Sequence, residues 1–133
     1  GSEVPGLLER HGKEVEEKSF DSLDRLLDEV ERCLRLQGED GFETAAVLAM
    51  TEEEAWDISR LLEKRGVETS YIDRDSSSFK PGLTVTTFYL AKGLEFDQVF
   101  TVWDSKKENP LLTQAKYICA TRALHELYMF EEK

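Results

Sequence analysis

Basic charge is in short supply in this chain. Seventeen lysines and arginines stand against 28 aspartates and glutamates, for a formal net charge of −11 at pH 7. A free-standing nucleic-acid binder carries a basic stripe that neutralises phosphates. A domain with this balance is not expected to hold DNA tightly by itself, although a few local contacts remain open to it. Cysteine is nearly absent as well: Cys33 and Cys119 are the only two. Each falls in an apolar helical pattern with no Cys or His at ligand spacing. That argues against a disulfide framework or a zinc site and for buried free thiols in a cytoplasmic protein. Histidine is equally scarce, and His11 and His125 are too isolated to make a metal site. No apolar run approaches the roughly 20 residues that span a bilayer, so no membrane association is expected. No basic start leads into an apolar stretch.

A phosphate-binding loop is missing too. The segment Gly6 to Glu14 has a glycine-lysine pair, Gly12-Lys13, but the spacing from Gly6 is one residue too long. Glu14 stands where a Ser or Thr would hold magnesium, and the segment precedes a strand rather than a helix. The opening Gly1-Ser2 reads as a scar left by tag removal. Residues 3–133 are read as one domain, since 40% hydrophobic residues suffice for a single core.

What is present is an alternation of strands and helices. Glu14 to Phe20 reads as a strand that stops at Asp21-Ser22, a helix-capping pair. Leu23, Leu26, Leu27, Val30, Cys33 and Leu34 then recur at three- and four-residue intervals, up to the break at Gly38 to Gly41. Ala45 to Met50 is a short apolar run suited to a strand covered on both faces. Thr51 and Glu54 predict a capping box for a second helix, with Ala55, Ile58, Leu61 and Leu62 inward and Lys64-Arg65-Gly66 at its end. Val67 to Ile72 predicts a third strand and Asp73 to Gly82 a polar loop. Leu83 to Tyr89 and Phe96 to Trp103 predict two more strands. A helix over about Leu111 to Leu124 and a strand over Glu126 to Phe130 complete the chain. Trp56 and Trp103 are expected to pack inside. Such alternation argues for an α/β sandwich around a mostly parallel sheet.

Two segments carry chemistry: GLTVTTFYLAKGLEFDQVF, Gly82 to Phe100, and YICATRALHELYMF, Tyr117 to Phe130. The first resembles motif V of UvrD/Rep-type superfamily 1 DNA helicases, a strand ending in Thr followed by AKGLEF. The second resembles their motif VI, with its Thr-Arg-Ala core. The pair together is closest to the helicase IV or HelD-like branch. The resemblance implies the second RecA-like domain, 2A, of a P-loop NTPase-type motor: a three-layer sandwich lacking the phosphate loop, which the first RecA-like domain of the parent chain supplies. It implies ATP with Mg²⁺ in the cleft between those domains, and no turnover by this chain alone.

Residue by residue, the resemblance gives Arg122 the place of an arginine finger on the γ-phosphate. The residue type suits it, because a guanidinium stays charged and its planar fork matches phosphate oxygens. On residue type alone, Arg122 would be a helix-end surface arginine paired with a carboxylate. Gly93 and Glu95 take the ribose side of ATP, glycine for close backbone approach and the carboxylate for sugar hydroxyls; Lys92 is a further ATP-side candidate. Thr86, Thr87 and Tyr89 take single-stranded DNA contacts, hydroxyls to phosphate and a ring to a base; the alternative is sheet residues packed under a helix. Tyr89 stands where the family has histidine. Leu48-Ala49-Met50-Thr51 lacks the arginine of the family's Leu-Tyr-Arg-Thr. Only the 73–82 loop stands where larger relatives insert subdomain 2B. Asp104, at a strand end, looks like a magnesium carboxylate, but family position argues against that role. The HelD-like likeness also implies RNA polymerase as a partner, which would make the domain a docking module without catalysis of its own. An unrelated α/β enzyme would need a complete site in this chain, and none is found.

Overall fold

The computed structural model describes residues 14–75 and 83–133. Six strands, β1 (Glu14–Phe20), β2 (Ala45–Ala49), β3 (Thr69–Tyr71), β4 (Leu83–Thr87), β5 (Phe96–Asp104) and β6 (Ala123–Glu132), form one sheet in the order β1-β6-β5-β2-β4-β3. Each pairing is parallel, so the sheet expected to be mostly parallel is wholly so among the described strands. Three helices, α1 (Leu23–Asp40), α2 (Glu52–Lys64) and α3 (Leu112–Arg122), complete the fold.

The period-2 alternation of strand side chains divides the core into two halves. Ala45, Val47 and Ala49 of β2, with Val85, Phe100 and Phe130, face α1 and α2 through Leu26, Leu27, Val30, Ala55, Ile58 and Leu62. Ala46 and Leu48, with Val99, Leu127 and Met129, face α3 through Ala115, Cys119 and Ala120. Phe88 and Ala91, from the segment joining β4 to β5, share that second half. The result is the three-layer α/β sandwich, and all five residues of β2 are buried because both faces of a central parallel strand are covered.

The capping residues act largely as their chemistry predicts. The Ser22 hydroxyl accepts from the Arg25 N–H at 3.3 Å. The Thr51 hydroxyl accepts from the Glu54 N–H at 3.1 Å, while the Glu54 carboxylate takes the Thr51 hydroxyl proton at 2.9 Å. At the far end of α2, Gly66 N–H bonds Glu63 O and Val67 N–H bonds Leu62 O, both at 3.0 Å. That is a Schellman closure, and Gly66 has the positive φ of 87° it requires. The closure takes Val67 into the helix end, so β3 starts at Thr69 rather than at Val67. Arg65 then ties α2 to α1, reaching Asp28 and Glu31 at 2.7 Å and Asp24 at 3.4 Å.

One inward assignment and one further boundary are corrected. Leu61 packs against the core from a half-buried place, and Ser59, not expected inside, is buried, its hydroxyl 2.8 Å from that of Thr69 on β3. Trp56 is 46% exposed; it lies edge-on to Tyr71 under the Arg60 guanidinium instead of in the core. The last helix stops at Arg122, and β6 starts at Ala123 instead of Glu126. Gly1-Ser2, His11, the Gly6 to Lys13 segment and residues 76–82 of the polar loop lie outside the described residues. Cys33 and Cys119 are buried free thiols. No helix among the described residues is long and apolar enough to cross a membrane.

Candidate functional site

The two sequence motifs meet at the amino edge of the sheet. β5 and β6 start side by side, with Phe96 in register with Ala123. The next aligned pair is Gln98 with Glu126, so β6 sets two residues, Leu124 and His125, against Asp97 of β5. This bulge directly follows Arg122, and bulges of this kind re-aim nearby side chains. Helix α3 ends at Arg122 while Ala123 is already extended, at φ −91° and ψ 125°. Arg122 therefore sits on a helix-to-strand corner, beside the residues that lead into β5.

Those residues form a turn. Leu94 N–H bonds Ala91 O at 3.0 Å, with Gly93 third in the turn at φ 87°. A left-handed backbone at that place favours glycine. A Cβ added at Gly93 would meet nothing within 4 Å, so the need for glycine lies in the dihedral rather than in crowding by this chain. Lys92 and Glu95 are exposed on either side of Gly93. Arg122 bridges back to the turn: its Nη1 donates to Leu94 O at 3.2 Å and its Nε to the Thr121 hydroxyl at 3.1 Å. Arg122, Gly93, Glu95 and Lys92 thus share one corner. The helix-end alternative for Arg122, a carboxylate pair, is not what forms among the described residues. A guanidinium has five N–H donors, and three of them have no acceptor there.

Next to this corner, Asp97 fastens the chain leading into β2. Its carboxylate accepts from Glu43 N–H at 2.8 Å and Thr44 N–H at 3.1 Å. Burial alone would raise this carboxyl, but those two N–H donors and the neighbouring His125 outweigh burial and hold it below its usual value. His125 stacks on Phe42, with ring centroids 5.1 Å apart, and its Nε2 lies 3.6 Å from Asp97.

The residues assigned to DNA are at the opposite, carboxyl edge, and two of them face inward. Thr86 and Thr87 are both 0% exposed. The Thr86 hydroxyl donates to Ile72 O at 2.6 Å, and the Thr87 hydroxyl accepts from Leu90 N–H at 3.2 Å. Both hydroxyls are therefore engaged within the chain and not presented to a phosphate, as the sheet-residue alternative anticipates for a strand buried on both faces. Tyr89 is half-buried, and its hydroxyl donates to Glu52 at 3.3 Å, a carboxylate that also pairs with Arg74 at 2.9 Å.

A groove of about 260 Å³ also opens at the carboxyl edge, between the ends of β2 and β5. Connections leave these neighbouring strands in opposite directions, the arrangement that creates a crevice in open α/β sheets. Its lining includes Glu53, Glu54, Asp104 and Glu108 against the single cation Lys107, and Met50 stands on its wall where the resembling family has arginine. Four carboxylates and one ammonium make a poor cradle for phosphate. Asp104 is used locally, accepting from Lys106 N–H at 2.9 Å. Among the described residues no group of three His, Cys, Asp or Glu could hold a metal ion.

No family model and no curated protein match the chain. Among solved structures it is similar to the C-terminal domain of a possible DNA helicase from Lactobacillus plantarum WCFS1. The identity is 25% and the TM-score 0.67, over 90% of this chain and 73% of that one. The fold is that of a helicase C-terminal domain. On that frame, the corner built from Arg122 and the Gly93 turn is the place where two sequence-predicted groups from distant parts of the chain come together. Thr121 and the Leu94 carbonyl complete the corner and were not singled out by sequence. A backbone acceptor has no residue-type signature, and Thr121 was visible only as the residue before the arginine.

Proposed function

We propose that this chain is the C-terminal motor domain of an ATP-dependent DNA helicase or translocase, and that its amino-edge corner forms one wall of a composite nucleotide cleft. Arg122 acts there as the arginine finger on the γ-phosphate, Glu95 accepts hydrogen bonds from the ribose hydroxyls, and Gly93 keeps the turn clear for the sugar. Lys92 adds positive charge to the rim. The N-terminal RecA-like domain of the parent chain supplies the phosphate loop, the Mg²⁺ ligands and the base, and this chain by itself neither binds ATP tightly nor hydrolyses it.

The observation that carries this reading is the 3.2 Å bond from Arg122 to Leu94 O, which joins the two motifs at one exposed corner. Three guanidinium N–H groups are left for an anion, beside a carboxylate that can accept from hydroxyls. The inward hydroxyls of Thr86 and Thr87 change the DNA side of the proposal. Single-stranded DNA would meet Tyr89 and exposed backbone here, with the two threonines shaping the strand end beneath it.

The test is ATP turnover by the full-length protein. Arg122→Ala should lower kcat by about 10³-fold or more, the scale of arginine fingers in phosphoryl transfer, while reducing the folding stability of the domain far less. Wild-type turnover in a folded Arg122→Ala protein would remove the arginine from the mechanism.

A second reading, a docking module without catalysis of its own, is favoured by the acidic groove between β2 and β5 and the net charge of −11. RNA polymerase is the partner this reading carries over from the family likeness. It predicts that the full-length protein lacks ATPase activity altogether.

A further inference from the structure

We propose that Thr121 is the positioning residue of this corner: its hydroxyl fixes the guanidinium of Arg122 before nucleotide arrives. The inference rests on the arginine-finger reading and deepens it.

A threonine hydroxyl has one proton to donate and two lone pairs to offer. The Thr121 hydroxyl gives its proton to Ile118 O, one turn back in α3, at 2.7 Å. That bond leaves its lone pairs as acceptors, and one of them receives Arg122 Nε–H at 3.1 Å. The Leu94 carbonyl receives Nη1–H at 3.2 Å. Two anchors on different atoms of one planar group define its plane as well as its position. Both Nη2 hydrogens and one on Nη1 have no acceptor among the described residues.

The anchors come from different parts of the chain. Thr121 and Ile118 belong to α3, and Leu94 follows Gly93 in the turn before β5. The guanidinium is held only while helix end and turn keep their spacing. An arginine carries large rotamer entropy when free. Ordering it in the folded domain removes that ordering from the catalytic step. Thr121 touches no reacting atom in this scheme and acts through Arg122.

The experiment compares Thr121→Val, Thr121→Ser, Arg122→Ala and the Thr121→Val/Arg122→Ala double variant in the full-length protein. Valine keeps the shape and removes both hydrogen bonds. For Thr121→Val we expect kcat for ATP hydrolysis to fall about tenfold or more, the worth of one hydrogen bond to a charged group. KM should stay within about twofold, because a group that acts in the transition state shows in kcat. Thr121→Ser should restore kcat. The double variant should be no slower than Arg122→Ala. A second readout uses this chain: the Arg122 Nε–H resonance should be resolved and slow to exchange in the wild type and in Thr121→Ser, and lost in Thr121→Val.

A Thr121→Val protein that turns over like the wild type, while Arg122→Ala is impaired, would overturn the positioning role alone. A slowed Thr121→Val protein that Thr121→Ser does not rescue, or one whose Nε–H stays protected, would overturn it too. Normal turnover by Arg122→Ala would sink the arginine-finger reading, and this inference with it.

Discussion

Gly93 and Gly66 provide a matched pair for testing the amino-edge corner. Both have φ 87°, and an added Cβ would meet nothing within 4 Å at either. Alanine at either place therefore brings backbone strain without a clash. The left-handed region costs an L-residue about 1–2 kcal/mol. The stiffer unfolded chain returns roughly 0.4–1 kcal/mol of that. A net loss of about 1 kcal/mol should follow in each case, which for a domain of this size lowers the melting temperature by roughly 3–6 °C. Asparagine tolerates this region better, so Gly93→Asn and Gly66→Asn should fall between wild type and alanine.

The two sites should part in a second measurement. Gly66 closes α2 far from the corner, whereas Gly93 sets the carbonyl of Leu94 on which Arg122 rests. Thermal melts followed by circular dichroism give the stability arm, and the Arg122 Nε–H resonance gives the local one. Gly93→Ala should shift that resonance, and Gly66→Ala should not. A Gly93→Ala protein as stable as the wild type, or one that loses more than about 3 kcal/mol, beyond the reach of φ strain, would refute the left-handed dihedral as the reason for glycine. An arginine resonance unmoved in both variants would refute the link from Gly93 to Arg122.

Three further outcomes are expected. Arg65→Met should lose about 1 kcal/mol in urea unfolding, the low end for charged hydrogen bonds because Asp24 and Asp28 are largely exposed; high salt should narrow the gap by screening the repulsion left among Asp24, Asp28 and Glu31. Glu29 is held down to about 2 by its bond to Arg32, with Lys18 adding to the effect against burial. Its folded value lies below its unfolded one, so the stability it contributes is complete above pH 4.5 and is lost as pH falls towards 2; Glu29→Gln should flatten the acid limb of a pH titration of unfolding. Burial raises the Cys33 thiol to about 11 and raises Cys119 as well. At pH 8 a thiol reagent should leave the folded protein unlabelled and modify both cysteines in urea, and rapid labelling of the native chain would show that α1 or α3 opens readily.

Much of the fold is legible because strand and helix ends are marked by chemistry. Asp21-Ser22, Thr51 and Lys64-Arg65-Gly66 each end or start an element where expected. Reading failed where neighbours decide. Val67 has a strand-forming side chain, yet its N–H closes α2 on Leu62, a bond formed only once the helix exists. Ser59 is buried because Thr69 on the next strand offers a hydroxyl, and a hydrophobic pattern counts such a residue as outside. The inward face of α3 is Ala115, Cys119 and Ala120, small residues whose periodicity blurs its end. For the corner, Arg122, Gly93 and Glu95 were readable from their motifs, while their meeting depends on the Phe96–Ala123 register. For Thr86 and Thr87 the sequence left two placements open, because polar residues on a buried strand look the same whether they face solvent or, as here, bond the Ile72 carbonyl and the Leu90 N–H.

The link from β4 to β5 passes over β2 from one edge of the sheet to the other in residues 88–95, with no helix in it. Eight residues could reach roughly 28 Å if fully extended, but residues 88–93 are folded into two successive turns, one closed by Ala91 N–H on Thr87 O and one by Leu94 N–H on Ala91 O. The link is therefore a strut with two knuckles. Its length matters more than the identity of most of its residues. A deletion between 88 and 95 would have to be taken from one of these turns, and one taken from the second would drag Glu95 off the corner before either strand slipped. An insertion would leave both strands paired and free the carboxylate to wander, producing a domain that folds well but no longer presents its side of the site.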